Sequence, residues 1–328
     1  MKKAAFVILA VLIVLSAVGA VYYALSQPKQ EDFFAMDTYI SVKVKGSDSA
    51  KALKKAKEIT GNLDTGILSR HSDSSEVSQI NKNHGGKMSG LLSEYTAVML
   101  DVFEKSAGKF DFTLGALSDE WNFSGRGTVP GEDELSALTS ACGADKITVN
   151  GNEITFPEGI VLDYGSVGKG IALDEIKKLL ANLHIKEAVI SEGGSILLYG
   201  SRNFTVGIQN PNGGGYIAVL NVGECCVSTS GSYERYFEYE GKRYHHILNP
   251  DTGYPVDNGL VSVTVISESG IISDALSTAC FVSGVEDGIK LARLYGCEAV
   301  FVDENNNIYT TENIKENLEI TNENYVMK

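Results

Sequence analysis

Apolar and polar residues alternate through FAMDTYISVKVKG (34–46), which predicts an early strand. The spacing then turns helical in SAKALKKAKEITGNLDTGIL (49–68), with basic residues on the exposed face. The stretch 69–83, rich in Ser, Asp and Asn, reads as a loop holding a short helix, and 90–117 as a helix ending near Gly108 followed by an irregular Phe/Asp/Thr/Gly segment. Residues 124–150 are rich in glycine and polar side chains, with one short helix at 132–139. KITVNGNEITF (146–156) predicts a hairpin turning at Asn150-Gly151. Next comes a buried strand at Ile160–Leu162, a Gly165–Gly170 loop, and a helix whose apolar stripe is Ile176, Leu179, Leu180 and Leu183. Strands are predicted at 187–199, 203–209, 216–221, 225–229, 235–239, 243–248 and 261–267. A helix from Asp274, a helix at 285–295 and a strand pair within 298–311 complete the chain. This order predicts an α+β fold with mixed or antiparallel sheets and packed helices, not a doubly wound parallel sheet.

Composition supports a folded domain: 328 residues, 43 % hydrophobic and 21 % charged, with no internal repeat. Ahead of that domain, Met1-Lys2-Lys3 precedes an uncharged, mainly apolar run from Ala4 to Leu25. As a helix this run matches a hydrocarbon core of about 30 Å. The lysines orient it inward, so residues 28–328 are expected outside the cytoplasm, at the cell membrane. Val18-Gly19-Ala20 also resembles a signal-peptide cleavage site. Segment 1–27 is therefore assigned as a membrane anchor or signal. Residues 28–328 form one domain with a helical and loop subdomain around 90–145.

Charge then narrows the partners. Forty-two acidic against 28 basic residues give −14, a field that repels nucleic acid and free phosphates. An anionic ligand must be held locally by helix N-termini, backbone amides or a cation. The five cysteines form no CxxC pair and have no histidines at zinc spacing, so they read as buried small hydrophobes.

Three segments carry candidate chemistry. The strand-to-helix loop in LDYGSVGKGIALD (162–174) lets backbone approach an anion, and Lys169 is either a phosphate neutraliser or a solvated loop lysine. Its GxxGKG spacing matches neither nucleotide-binding glycine pattern. In YHHILNPDTGYPVD (244–257), His245 and His246 point to opposite sheet faces. At most one reaches a cleft as a general base, and otherwise both are structural. In IISDALSTACFVSG (271–284), Ser273 or Asp274 is a plausible N-cap. A cap does not account for Thr278, which shares a helix face with Asp274 and presents with it hard oxygens suited to Mg²⁺. Met36, Asp37, His71, KFDFT (109–113), SEGGSI (191–196) and STSGSYERYF (228–237) are weaker signals, each with a sufficient structural explanation.

Together, MDT (36–38), KFDFT (109–113), LDYGSVGKGIALD (162–174), SEGGSI (191–196), STSGSYERY (228–236), HILNPDTGYPV (246–256) and SDALSTA (273–279) resemble, in order and spacing, the ApbE family of flavin transferases. The resemblance covers about residues 33–315. The family commonly reads Met-Gly-Thr where this chain has Met36-Asp37-Thr38, and carries an aromatic residue in place of His71. The resemblance implies a T-fold-related α+β domain and an Mg²⁺-dependent FAD:protein FMN transferase. Such an enzyme moves FMN from FAD to a Thr or Ser hydroxyl of an exported acceptor flavoprotein through a phosphoester, releasing AMP. It further implies metal ligands at Asp274, Thr278 and the Ser166 carbonyl. FAD would be lined by Met36, His71, Lys109, Phe110, Asp111, Asp163, Lys169 and Leu248. His246 would activate the acceptor, and Asp274 would serve catalysis through the metal. An FAD pyrophosphatase and a non-catalytic FAD-binding protein are the alternatives.

Overall fold

The computed structural model describes residues 27–123 and 125–328, with isolated positions 12, 13, 15, 16 and 23 ahead of them. The predicted N-terminal anchor or signal thus lies almost wholly outside the described residues. Among the described residues no helix is long and apolar enough to cross a membrane.

A nine-stranded sheet organises the molecule, and its strands lie side by side in chain order: Lys29–Ala35, Thr38–Gly46, Ile185–Glu192, Ser195–Gly200, Cys225–Gly231, Leu260–Ser267, Glu298–Asp303, Asn307–Thr310 and Val326–Met327. Neighbours run antiparallel except the last pair, which is parallel. The central strands are mostly buried along their length because both faces are covered. Val263, Val265, Ala299 and Phe301 pack on Ala275, Ala279 and Phe281 of helix Gly270–Leu294. Ile266, Val300 and Val302 instead meet Phe204, Val206, Ile208 and Leu220 of a three-stranded sheet, Leu318–Ile320, Tyr216–Val222 and Phe204–Gln209. Helices Ser49–Asn62 and Gly168–Ala181 bury Ala52, Leu53, Ala56, Leu173, Ile176 and Leu180 against Ile40, Val42, Ile190 and Leu197. Each buried Ile or Leu contributes about 1.5–3 kcal/mol relative to exposure. All five cysteines are free and buried.

Several boundaries differ from the pattern-based expectation. The single strand at 34–46 is a hairpin, Ala35 pairing with Thr38 across Met36 and Asp37. Both turn residues have positive φ, 51° and 56°, the two-residue turn that favours Asn-Gly. With neither residue present, the turn carries no sequence signal. The strand at 187–199 likewise folds back at Gly193-Gly194, Gly193 having φ +60°. The helix over 49–68 ends at Asn62 and continues as a π-helical turn, Leu63–Leu68. The segment read as irregular ends in the start of a helix, Gly115–Trp121, whose Trp121 Nε1 donates to Gly253 O at 2.8 Å and ties it to the NPDTG turn. Ile160–Leu162 forms no strand beyond a single bridge from Val161 to Leu114. There the Asn81 side chain stands in for a partner strand, donating to Leu162 O at 2.9 Å and accepting from Leu162 N at 2.8 Å. The final helix is broken at Gly284 (φ 81°, ψ −179°), which separates the two predicted segments.

Candidate active site

Helices Gly168–Ala181 and Gly270–Leu294 cross where glycine meets glycine. A Cβ on Gly170 would stand 2.3 Å from Gly270 O, and a Cβ on Gly270 the same distance from Gly170 O. This approach lets each helix cap the other. Asp174 accepts from Gly270 N at 2.6 Å, Ile271 N at 3.0 Å and Ser269 Oγ at 2.9 Å, serving three donors at the start of the second helix. Asp274 Oδ2 accepts from Gly170 N at 2.8 Å in the first turn of the other helix, and Oδ1 from Ser195 Oγ at 3.1 Å. The expected N-cap at Ser273 or Asp274 is thereby corrected. The helix starts at Gly270 after Ser269, and Asp274 lies a full turn inside it, caps the neighbouring helix and is buried.

A seam of hydroxyls runs beside this crossing, between strand Cys225–Gly231 and the helix. Ser228 Oγ meets Ser273 Oγ at 2.8 Å, Ser230 Oγ meets Ser277 Oγ at 2.8 Å and Thr278 Oγ1 at 3.2 Å, and Ser277 Oγ donates to the Asp274 carbonyl at 2.8 Å. Asp274 and Thr278 thus lie on the floor of a cleft, with the Gly165–Gly170 loop and Ser166 beside them.

The walls come from distant segments. Met36 N, in the strained turn, donates to Asp64 Oδ2 at 3.0 Å, so the π-helical turn pins the hairpin tip. Arg70 bridges Asp119 (Nη1–Oδ1, 2.6 Å) and Asp163 (Nε–Oδ2, 3.0 Å), while Gly165 N donates to Asp163 Oδ1 at 2.8 Å. Burial opposes the Arg70 charge, but Asp163 and Asp119 hold its pKa above the ordinary value. Lys109 pairs with Asp251 of the NPDTG turn. Asp111 accepts from Thr113 N and Oγ1 at 2.9 and 2.7 Å, and burial raises its pKa. Phe110 and Leu248 line the wall with little of either exposed, and His71 is exposed.

The two histidines take different roles. His245 is buried and satisfied, its Nε2 2.9 Å from Val256 O and its Nδ1 3.3 Å from Ile247 N. His246 lines the cleft, half-buried, with Nδ1 at 3.3 Å from Arg235 O. Only the Nδ1-protonated ring can donate to a carbonyl, which leaves Nε2 as a proton acceptor. Burial first, then the Arg235 charge, lowers its pKa to about 3. The His246 ring is therefore expected to stay neutral at neutral pH and to show no NMR titration midpoint near 6.5. A midpoint at 6.5 would refute that environment.

All twelve residues named from the sequence line one cavity of about 1290 Å³: Met36, His71, Lys109, Phe110, Asp111, Asp163, Ser166, Lys169, His246, Leu248, Asp274 and Thr278. Asp64, Arg70 and Asp119 were missed, and Ser195 and Ser230 were covered only by the segments SEGGSI and STSGSYERYF with no role named; the roles of all five depend on partners far away in sequence.

Glu192, within SEGGSI, was likewise given no role of its own. It is fully buried behind the cleft, beside the equally buried Thr60, and neither carboxyl oxygen has a well-formed hydrogen bond. Burial raises its pKa to about 8, against the attraction of Lys169. A carboxyl raised on folding binds its proton more tightly in the native state, so this stability is fully present below the unfolded value of 4.5 and is lost as pH rises towards 8. Glu192→Gln is therefore expected to be more stable than the parent at pH 8, by up to several kcal/mol and with a correspondingly higher melting temperature, and to match it near pH 4.5. A pH-independent difference in melting temperature would sink this account.

The donor set fits a hard divalent cation. Asp274 is buried with no basic group within ion-pair distance among the described residues, and burial raises its pKa while Lys169 opposes the rise. A cation would relieve that cost. Among the described residues no group of three or more His, Cys, Asp or Glu side chains is placed to hold a metal. Such a cation would take the rest of its shell from water and phosphate, as Mg²⁺ does.

The ApbE family pattern matches residues 36–301. The chain belongs to the ApbE family. Among relatives, a Treponema pallidum protein named FAD:protein FMN transferase is 30 % identical over 289 residues, 80 % of either chain. The ApbE protein of Thermotoga maritima superposes with TM-score 0.82 at 27 % identity, covering 89 % of this chain and 99 % of that one. The apo flavinyl transferase ApbE of Pseudomonas stutzeri gives 0.73 at 29 % identity, covering 85 % and 92 %. This ApbE-family chain has the α+β fold of those structures.

Proposed function

We propose that this chain is an FAD:protein FMN transferase that joins FMN to a Thr or Ser hydroxyl of an exported acceptor by a phosphoester bond. The observation that carries the reading is the buried Asp274 in a dinucleotide-sized cleft that Thr278 and His246 also line. The acceptor oxygen attacks the FMN phosphorus as its proton passes to His246 Nε2, whose basicity the pyrophosphate charge would raise above its value in the empty cleft; the pyrophosphate P–O bond breaks, and AMP leaves with the bridging oxygen. Asp274, Thr278 and the Ser166 carbonyl would hold Mg²⁺, which when bound polarises the phosphoryl oxygens and stabilises their developing charge. Lys169 and the amides opening helix Gly168–Ala181 supply the positive field that an acidic protein otherwise lacks. Export, with anchoring at the membrane, rests on Lys2-Lys3 and the apolar run 4–25.

Co-expressing this chain with exported proteins and measuring intact masses tests the reading. Gain of an FMN mass on one protein, dependent on the enzyme and abolished by EDTA, is expected. AMP release from FAD with no mass gain on any protein would replace it with a pyrophosphatase, and unchanged FAD with a binding protein.

A further inference from the structure

We infer that the free edge of strand Phe204–Gln209 is where an extended segment of the acceptor polypeptide docks, pairing as an added strand that carries its hydroxyl to His246. This rests on the transferase reading above. The cavity has two unlike sides. One holds the Arg70 bridge, Lys109 and Asp111; the other has an apolar floor of Val189, Ile196 and Leu198 on the face of the large sheet that meets the three-stranded sheet, walled by residues 204–207 and Gln209. Consecutive residues of a strand line a cavity when its edge, not one face, is turned towards it. Thr229, Ser230 and Arg235 lie in the same cavity, with Asp274, Thr278 and His246.

Three observations favour a polypeptide here. Phe204–Gln209 is the outer strand of its sheet, so among the described residues this edge pairs with no strand. Its sequence, FTVGIQ, has neither charge nor proline, whereas of the two outer strands of the large sheet one, KQEDFFA, carries Lys29, Glu31 and Asp32 and the other, Val326–Met327, is only two residues long. Proteins guard idle edges with charge, proline or short length, and an unguarded six-residue edge is suited to pairing. Finally, about 1290 Å³ exceeds the ~300–1000 Å³ typical of a single small-ligand site and leaves room for a second reactant.

The test uses the acceptor revealed by the mass gain, with its modified Thr or Ser replaced by Ala so that it binds without being consumed. Hydrogen exchange on the full enzyme should slow at the amides of 204–209 when this acceptor is added. Thr205→Pro on the edge and Val189→Lys on the floor should each raise the KM for the unaltered acceptor by about tenfold or more, with KM for FAD within about twofold. A thermal melt identifies a misfolded variant; the exchange result on the parent decides the matter if both variants misfold. Mass gain without protection of 204–209 overturns the docking edge and leaves the transferase reading standing. Protection by FAD alone, or protection that tracks enzyme self-association, also overturns it by assigning the edge to flavin or to a second copy. Absence of any mass gain removes both.

Discussion

Asp274→Ala is expected to lower FMN transfer by about three orders of magnitude or more, the scale on which losing a cation and its charge stabilisation acts. The same change strands Gly170 N–H and Ser195 Oγ in a buried place, at about 1–3 kcal/mol. Asp274→Asn separates these effects: its amide oxygen can still accept from Gly170 N, so the variant should melt close to the parent yet remain inactive. Measuring AMP release, acceptor mass and melting temperature for both variants checks this. Wild-type turnover in either would remove Asp274 from the site.

Gly170→Ala tests the helix crossing. In an isolated helix this exchange stabilises by about 1 kcal/mol. Here the new Cβ would sit 2.3 Å from the Gly270 carbonyl oxygen and 2.8 Å from Asp274 Cβ, and backbone cannot yield as a flexible side chain can. The helices must part, which costs about 1–3 kcal/mol and draws Asp274 away from Gly170 N. The predicted sign is therefore the reverse of the propensity sign. A variant that melts higher than the parent would show that the helices do not touch at this point.

The sequence was most legible where chemistry is local. Asn150-Gly151 marks its hairpin, the apolar stripe through Leu180 marks its helix, and Asp274 and Thr278 share a face because they are four apart. It was least legible where a partner comes from elsewhere. Nothing near Asp274 indicates that its carboxylate serves a helix that begins a hundred residues earlier, or that Asp174 returns the service. Met36-Asp37 turns without Gly or Asn because Asp64, itself in a π-helical turn, holds the strained tip. Glu192 lies between turn glycines and an apolar strand, and its burial beside Thr60 follows only from packing the helix Ser49–Asn62 onto the sheet. The residues placed in the cleft by family resemblance all line it, but the charge balance around them was visible only in three dimensions.

The hydroxyls beside the helix crossing form a one-way chain. Ser277 gives its only hydroxyl hydrogen to the Asp274 carbonyl, so at Ser230 it can only receive; Ser230 then has no hydrogen left for Thr278 and must receive from it. The order of donation is thereby Thr278 to Ser230 to Ser277 to Asp274 O. Thr278 spends its hydrogen on the sheet and keeps both lone pairs, so the helix carrying Asp274 also sets the polarity of the second oxygen that faces the cleft.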